Sequence, residues 1–240
     1  MKKMVELKKN VTVFGRDIDD NLGYKYSTNA KYSSIVANKR MTDAINQTIP
    51  EGTKTIIDIG CGDGTYSNEI KKNKPNIEVT GIDPVESAVH IAKERYDNIH
   101  FFCSNIYEDG FFKGLNFDLA IFRGVLHHLP DIELAIKKSS LFSTTLLILE
   151  PNGNNFILKL FERFSKYHIE HEEQSFTTSK LSKWCTTNGW KIVSINYIGF
   201  VPVFFPTSIA KMILLFQPFL EKVPIINKYL SAQIVIYCVK

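Results

Sequence analysis

Short apolar runs alternate with amphipathic stretches between residues 54 and 150, and this alternation constrains the fold more than any other feature. The runs that read as buried strands are 55–59, 77–82, 100–103, 117–122 and 144–150. The stretches between them have helical spacing, and neighbouring parallel strands need crossovers of that kind. The pattern therefore predicts an α/β fold, with a doubly wound, Rossmann-like and mostly parallel sheet between two layers of helices.

The rest of the chain extends this core at both ends. Two more apolar runs, at 191–197 and 233–239, predict two C-terminal strands. Helical spacing over 31–47 predicts a helix before the first strand. We therefore expect a helical N-terminal cap over residues 1–50 and one enzyme-sized domain over residues 51–240.

Two segments interrupt the alternation and are predicted to be lid insertions. Residues 151–176 are rich in aromatic side chains at helical spacing. Residues 199–231 are strongly apolar, and the charge-free run 192–210 is nearly long enough to span a membrane. Pro202 and Pro206 interrupt that run, so a strand followed by an apolar loop is the preferred interpretation.

Composition excludes several classes of protein. The 240 residues are 44% hydrophobic and 22% charged, unlike a disordered, collagen-like or coiled-coil chain. The net charge of +4 is mild for a nucleic-acid-binding protein, and the lysines within residues 2–9 are interpreted as a solvated tail. No apolar secretory signal follows them, which favours a cytoplasmic location. No C-x-x-C pair occurs among the cysteines, so neither a disulfide framework nor a zinc site is indicated; they are Cys61, Cys103, Cys185 and Cys238.

A glycine-rich turn over residues 60–64 follows the first predicted strand. Glycines at such a turn let a ligand approach the backbone, and the amides of the following helix favour anionic groups. The dinucleotide fingerprint needs a glycine where this chain has Thr65, which disfavours a nicotinamide cofactor. Asp83 ends the second strand, where its carboxylate suits a pair of ribose hydroxyls. Alternatively, Asp83 only caps the helix that begins near Val85.

In order and spacing, this chain resembles the class I S-adenosylmethionine-dependent methyltransferases of the small-molecule type. The motifs that carry the resemblance are Asp58-Ile59-Gly60-Cys61-Gly62-Asp63-Gly64, Gly81-Ile82-Asp83-Pro84, Phe117-Asp118-Leu119-Ala120 and Val125-Leu126-His127-His128-Leu129-Pro130-Asp131. They cover roughly residues 50 to 150. The resemblance implies a seven-stranded sheet that ends in an antiparallel hairpin, with S-adenosylmethionine as methyl donor and S-adenosylhomocysteine (SAH) as product.

The resemblance also implies a set of cofactor-binding residues. They are Asp58, Gly60, Cys61, Gly62, Asp83, Pro84, Asn105, Ile106 and Arg123. The glycine turn would pass under the methionyl and ribose groups, and Asp83 would hold the ribose hydroxyls. Asn105 stands where the family usually has an aspartate that accepts from the adenine amino group, and Ile106 would cover the adenine ring. Arg123 departs from the family's small or polar residue, so its backbone carbonyl would contact the cofactor while its side chain serves elsewhere.

Methyl transfer to a hydroxyl or an acidic carbon also requires that a proton be removed. His127 is the leading candidate base because it follows the fourth strand, at the edge where open α/β sheets bind ligands. Glu150 is the second candidate, and His128, His168 and His171 are weaker ones. For His128 we expect a neutral, hydrogen-bonded ring packed under the sheet.

The methyl acceptor is the least determined part of the function. Residues 122–126 lack the motif of the methyltransferases that modify amino groups of DNA bases, so no nucleic-acid partner is expected. Apolar side chains of the insertions predict a pocket for a small hydrophobic acceptor, although they could simply pack on the sheet; they include Phe200, Val201, Val203, Phe204 and Phe205. The histidines and carboxylates of residues 168–173 indicate a solvated face, and no metal site is predicted.

Several alternatives stay open. The methylated atom is oxygen, nitrogen or carbon, the insertions could contact a membrane peripherally, and the oligomeric state is undetermined. The competing functions are a nicotinamide-dependent oxidoreductase and a protein that binds S-adenosylmethionine without turnover.

Overall fold

The computed structural model describes residues 11–16, 18, 23–24, 31–164, 174–203 and 205–240. Its seven strands are β1 (Thr55–Ile59), β2 (Glu78–Asp83), β3 (His100–Cys103), β4 (Phe117–Arg123), β5 (Ser143–Pro151), β6 (Lys191–Ile198) and β7 (Gln233–Val239). They form one sheet in the order β3-β2-β1-β4-β5-β7-β6. Strands β1 to β5 pair in parallel, and β7 is antiparallel to both β5 and β6. The predicted doubly wound sheet with its C-terminal hairpin is confirmed.

Helices cover both faces of this sheet. They are α1 (Tyr32–Thr48), α2 (Thr65–Asn73), α3 (Glu86–Arg95), α4 (Asp109–Phe112), α5 (Ile132–Phe142), α6 (Phe156–Phe164), α7 (Thr178–Thr187), α8 (Thr207–Leu220) and α9 (Pro224–Leu230). Side-chain caps fix where two of them begin. The Asp131 carboxylate accepts from the Leu134 amide at the start of α5, and the Thr177 hydroxyl accepts from the Lys180 amide at the start of α7.

The central strands β1, β4 and β5 are mostly buried on both faces, as a sheet enclosed by helices requires. On one face Phe122 and Ile236 pack with Trp190, whose indole nitrogen donates to the Ile136 carbonyl at 3.1 Å. On the other face Ile45 of α1 belongs to the same hydrophobic cluster as strand residues from β1, β4 and β5. Helix α1, which we predicted as part of an N-terminal cap, therefore packs against this face of the sheet.

The run 192–210 is, as predicted, a strand that continues into an apolar loop, because β6 ends at Ile198 and α8 begins at Thr207. The helices α8 and α9, which occupy most of the rest of residues 199–231, were not predicted. The exposed apolar residues Ile209, Met212, Phe216 and Phe219 recur at intervals of three and four, which is the helical period. The glycine and prolines at the start of the segment obscured that period. Within the part of the chain that the structure describes, no helix is both long and apolar enough to cross a membrane.

Candidate active site

A cavity of about 650 Å³ lies at the carboxyl edge of the central strands. Its floor is built by the residues that follow or end three neighbouring strands: Gly60 after β1, Asp83 in β2 and Arg123 in β4. Side chains from α1, α6 and residues 199–203 line the rest of the cavity. This edge is where open α/β sheets bind their ligands.

The glycine turn forms one wall of the cavity and adopts a backbone that other residues would strain. Gly60 and Gly62 have φ angles of 77° and 56°, in the left-handed region. A Cβ atom on Gly60 would lie 2.5 Å from Cγ2 of Val125, so no side chain fits there without a shift. The amides of Gly60 and Cys61 both donate to the Ile82 carbonyl, at 2.8 and 3.0 Å, and hold the turn against β2.

Asp83 connects the glycine turn to the start of α3. One carboxylate oxygen accepts from the Gly62 amide at 3.0 Å, and the other accepts from the Val85 amide at 2.9 Å. Burial raises the pKa of Asp83 to about 6, although both hydrogen bonds act in the opposite direction. Each oxygen has a further lone pair, and the residue lines the cavity. The cap at Val85 and a role toward a ligand are therefore compatible.

The other residues predicted to bind the cofactor separate into two groups. Cys61 and Pro84 line the cavity together with Asp83. Asp58 is not among the cavity-lining residues that the structure describes, and its buried carboxylate instead accepts from the Ser67 hydroxyl of α2 at 2.5 Å. Burial raises the pKa of Asp58. Asp58 therefore supports the turn from behind.

Asn105 and Ile106 lie in the loop after β3 and, within the described chain, outside the lining of the cavity. The Asn105 side-chain oxygen accepts from the Tyr107 amide at 2.9 Å. Ile106 is 1% exposed and packs in the core. Direct contact of these two residues with adenine stays a prediction.

The side chain of Arg123 holds α1 against the sheet. One terminal guanidinium nitrogen donates to the Thr42 hydroxyl at 2.9 Å, and the other donates to the Asn38 carbonyl at 3.2 Å. The guanidinium lies 3.7 Å above the ring of Tyr66, which belongs to α2. Loss of solvation lowers the pKa of Arg123 to about 10 and raises that of Tyr66 to about 12. Arg123, which stands where the family more often has a small or polar residue, thus uses its side chain to connect α1 to the sheet.

His127 and Glu150 are in direct contact at the cavity wall. Nδ1 of His127 lies 2.6 Å from one oxygen of the fully buried Glu150 carboxylate. The other oxygen accepts from the amides of Val125 and Leu126, at 2.9 and 2.8 Å. His127 lines the cavity, whereas Glu150 is not among the described residues that do so. Glu150 therefore acts on the cavity through residues that it holds, among them His127 and Val125.

The prediction that His128 packs under the sheet is wrong. The 3₁₀ turn Leu126–His128 directs Leu126 into the core, while both histidines line the cavity. The His128 ring centroid lies 3.9 Å from that of His127 and 4.8 Å from that of Phe14. The candidate bases His168 and His171 lie outside the described residues.

Away from the glycine turn, the cavity wall is mainly apolar. The apolar residues that line it include Met41, Leu149, Leu158, Phe161, Ile198, Val201, Pro202 and Val203. Ser175 also lines this part, and its hydroxyl is buried without a hydrogen-bond partner among the described residues. Val201 and Val203 were predicted here. Phe200 is buried, Phe205 packs near Phe161 with ring centroids 6.5 Å apart, and Phe204 lies outside the described residues.

A family model described as a methyltransferase domain matches residues 50–198 of this chain. The chain belongs to this methyltransferase family. The match includes the glycine turn, Asp83, His127 and Glu150. The prediction of an S-adenosylmethionine-dependent methyltransferase is confirmed at the level of the family, and the nicotinamide-dependent alternative is not favoured.

Individual relatives of this methyltransferase are distant. The ubiquinone biosynthesis O-methyltransferase of Coxiella burnetii is 26% identical over an alignment of 179 residues, which covers 66% of this chain and 73% of the relative. The malonyl-[acyl-carrier protein] O-methyltransferase of Bacillus cytotoxicus is 26% identical over an alignment of 146 residues, which covers 55% of this chain and 50% of the relative.

Solved methyltransferases share the fold over nearly the whole chain. The plantazolicin methyltransferase BpumL, in complex with SAH, has a TM-score of 0.64 at 19% identity and covers 99% of this chain and 96% of its own. A Thermotoga maritima S-adenosylmethionine-dependent methyltransferase, a possible histamine N-methyltransferase, has a TM-score of 0.67 at 16% identity, with coverages of 96% and 99%.

Sequence reasoning missed several residues that line the cavity of this methyltransferase. Tyr24 and Tyr66 stand beside the glycine turn, and Met41 and Ser175 line the other part. Tyr24, Met41 and Ser175 carry no local motif, because they reach the cavity from segments distant in sequence from the glycine turn. One signal was available for Tyr66, which comes two residues after the glycine turn, in the first turn of the following helix.

Proposed function

We propose that this methyltransferase transfers a methyl group to a hydroxyl of a small hydrophobic acceptor, and that His127 removes the hydroxyl proton. The observation that carries the proposal is the 2.6 Å contact between Nδ1 of His127 and the buried Glu150 carboxylate, beside the glycine turn. Burial of a carboxylate costs desolvation free energy, which its hydrogen bonds must offset. A buried carboxylate against an imidazole at a cavity wall is therefore typical of functional sites, where it orients or polarises the ring.

The residues around the glycine turn fit the methyl donor. Gly60 and Gly62 line the cavity, and Cys61 and Pro84 line the same part of it. Asp83 would accept from the ribose hydroxyls. When bound, S-adenosylmethionine supplies an electrophilic methyl group on a sulfonium.

The remaining predicted residues have secondary roles in this proposal. Asp58 would hold the glycine turn in shape through Ser67. Asn105 would accept from the adenine amino group through its side-chain oxygen, and Ile106 would support that loop from the core. Arg123 would present its backbone carbonyl to the cofactor while its side chain secures α1.

The proton of the acceptor would go to Nε2 of His127. A carboxylate at Nδ1 keeps the proton of the neutral imidazole on that nitrogen, so Nε2 is the hydrogen-bond acceptor. An acceptor hydroxyl that donates to Nε2 transfers its proton there, and the Glu150 carboxylate stabilises the imidazolium that forms. General-base catalysis of this kind contributes about 10²- to 10⁴-fold in rate.

The apolar wall of the cavity supports a small hydrophobic acceptor. Met41, Phe161 and Val201 can bury apolar groups, and the buried Ser175 hydroxyl offers one polar contact. Oxygen as the methylated atom is favoured because the Coxiella burnetii and Bacillus cytotoxicus relatives are both named O-methyltransferases. We propose the cytoplasm as the compartment and no nucleic-acid partner.

The test is SAH formation over a panel of matched acceptors, combined with calorimetric titration of S-adenosylmethionine. The panel pairs alkyl-substituted phenols and catechols with the corresponding anilines and with methyl ethers that lack the hydroxyl. We expect cofactor binding in every case and SAH release only with hydroxyl acceptors. Methylation of anilines but not of phenols would contradict the proposed base, and absence of cofactor binding would contradict the proposed site.

A further inference from the structure

An apolar surface on the insertions is exposed outside the cavity. Helix α8 exposes Ile209, Met212, Leu215, Phe216 and Phe219, of which Leu215 is 71% exposed. The other members of this surface are Ile225 and Tyr229 of α9 and Phe156 and Leu160 of α6. Helices α6 and α9 contact each other, and α9 follows α8 directly. We refer to these nine residues as the apolar face.

Helix α8 is apolar on its exposed side as well as on its inner side, where Ala210 is fully buried. Gln217 is turned inward, where its side-chain oxygen accepts from the Phe200 amide at 3.3 Å and its nitrogen donates to Glu221 at 3.0 Å. Met212 and Phe216, in contrast, are more than half exposed. Surface helices normally bury the apolar stripe and expose the polar one. An exposed apolar surface of this extent indicates that a nonpolar medium or partner covers it.

The exposed charges on the α8 and α9 part of the apolar face are positive, and on α6 Glu162 is paired with Lys159 at 3.0 Å. Across residues 206–230 the exposed charged residues are Lys211, Lys222 and Lys228. The one carboxylate of that segment, Glu221, is paired with Arg40 of α1 at 3.1 Å. Lysines beside exposed aromatic and aliphatic side chains are typical of helices that lie in the interface of an anionic membrane. Two copies of this face would instead bring their lysines together.

We propose that the apolar face docks on the surface of a bilayer that contains anionic lipid, with α8 in the interfacial plane. The same insertions line the cavity, since Phe161 belongs to α6 and residues 201–203 precede α8. If the proposed function is correct, docking places the acceptor side of the cavity near the bilayer and favours an acceptor dissolved in lipid. The docking itself does not depend on the reaction.

Co-sedimentation of the full chain with vesicles tests the proposal. One set of vesicles is pure phosphatidylcholine, and the other is an equimolar mixture of phosphatidylcholine and phosphatidylglycerol. We expect the parent protein to bind the anionic vesicles more tightly, and higher salt to weaken that binding. The double substitution Met212→Gln, Phe216→Gln should weaken binding to both vesicles by at least tenfold. Replacing Lys211, Lys222 and Lys228 with Gln should remove most of the preference for anionic lipid, at roughly fivefold per lysine.

The matched control is Leu141→Gln, because Leu141 is a 74% exposed apolar residue on α5, outside the apolar face. This variant should bind vesicles like the parent. Thermal unfolding and the affinity for S-adenosylmethionine should be unchanged in every variant, which separates docking from folding and from the proposed function. Equal vesicle binding by the parent and the double variant would overturn the proposal. A dimer of the parent that the double variant abolishes, without vesicle binding, would assign the face to a second copy and also overturn it.

Discussion

Glu150 at the end of β5 fixes the ring of His127, whose Nδ1 atom lies 2.6 Å from its carboxylate. The same carboxylate accepts from the amides of Val125 and Leu126, so it also holds the 3₁₀ turn on which the ring is mounted. Because Glu150 is fully buried, its carboxylate and the ring form a unit that reaches the cavity through His127. Glu150 is therefore a positioning residue, and His127 is the candidate base.

Removing the imidazole should affect turnover and leave cofactor binding intact. For His127→Ala we expect turnover of a hydroxyl acceptor to fall by about 10²- to 10⁴-fold, the contribution of a general base. The affinity for S-adenosylmethionine should change by less than about twofold, since the proposal assigns the methyl donor to the glycine turn and Asp83 and the imidazole to the acceptor. The rate of SAH formation and calorimetric titration measure the two effects. His90→Ala is the control, because His90 is an exposed histidine on α3. Unchanged turnover in His127→Ala would exclude this base.

Glu150→Gln should impair the base without removing it. The new amide oxygen can still accept from Val125 and Leu126, so the 3₁₀ turn should remain folded. The amide nitrogen, however, donates to Nδ1 of His127, which moves the proton of the neutral ring to Nε2. We expect turnover to fall nearly as far as in His127→Ala, with thermal stability close to that of the parent. A pH profile of turnover that is identical to the parent's would show that Glu150 does not position the ring.

The parts of the site that were predictable from sequence depend on local backbone chemistry. The glycine turn and Asp83 were recognisable because a strand that becomes a helix over three glycines has few alternatives. His127 and Glu150 were each identified as candidates, but their contact was not, since it depends on how β4 and β5 pair. His128 was misplaced because the sequence does not show that a 3₁₀ turn follows β4 at the cavity wall, where both rings line the cavity.

Contacts between distant segments were not predictable. Arg123 was expected to serve away from the cofactor, but nothing in the sequence indicates Thr42 as its partner. The orientation of α8 was also hidden, because apolar residues at helical spacing do not reveal which side faces solvent. The structure leaves Phe216 more than half exposed, while Ala210 is buried and Gln217 bonds to the Phe200 amide.

Asp83→Ala should weaken cofactor binding. Loss of an ionised acceptor leaves ribose hydroxyls unpaired, at about 1.5 to 3 kcal/mol for a hydrogen bond to a charged group. We therefore expect the Kd of S-adenosylmethionine to rise about ten- to a hundredfold. Calorimetric titration measures this change, and Asp97→Asn serves as the control because Asp97 is an exposed acid. Equal affinities of Asp83→Ala and the parent would exclude this position for the ribose.

The affinity for S-adenosylmethionine should depend on pH through Asp83. Burial raises its pKa to about 6, and the protonated carboxyl is a poorer acceptor for hydroxyl donors. Affinity should therefore be constant above about pH 6 and fall by up to about tenfold per pH unit below it. The stability of the protein without cofactor should depend on pH in the opposite direction. Between about pH 4 and pH 6 the carboxyl of Asp83 is protonated in the folded state and ionised in the unfolded state. The contribution of Asp83 to the free energy of unfolding therefore falls as pH rises through this range. Titrations of parent and Asp83→Ala across this range should differ in slope, and parallel slopes would contradict the raised pKa.

A double-mutant cycle should show that Arg123 secures α1 through Thr42. Thr42→Val removes the acceptor at 2.9 Å and leaves a guanidinium nitrogen without that hydrogen bond in a largely buried site, at a cost of about 1 kcal/mol or more in the free energy of unfolding. In the background of Arg123→Met, which removes the guanidinium and keeps an apolar stem over Tyr66, the same substitution should cost little. Urea unfolding of the parent, both single variants and the double variant gives the coupling free energy between Arg123 and Thr42. If Thr42→Val costs the same in both backgrounds, the hydrogen bond does not secure the helix, and apolar packing around Ile45 holds it instead.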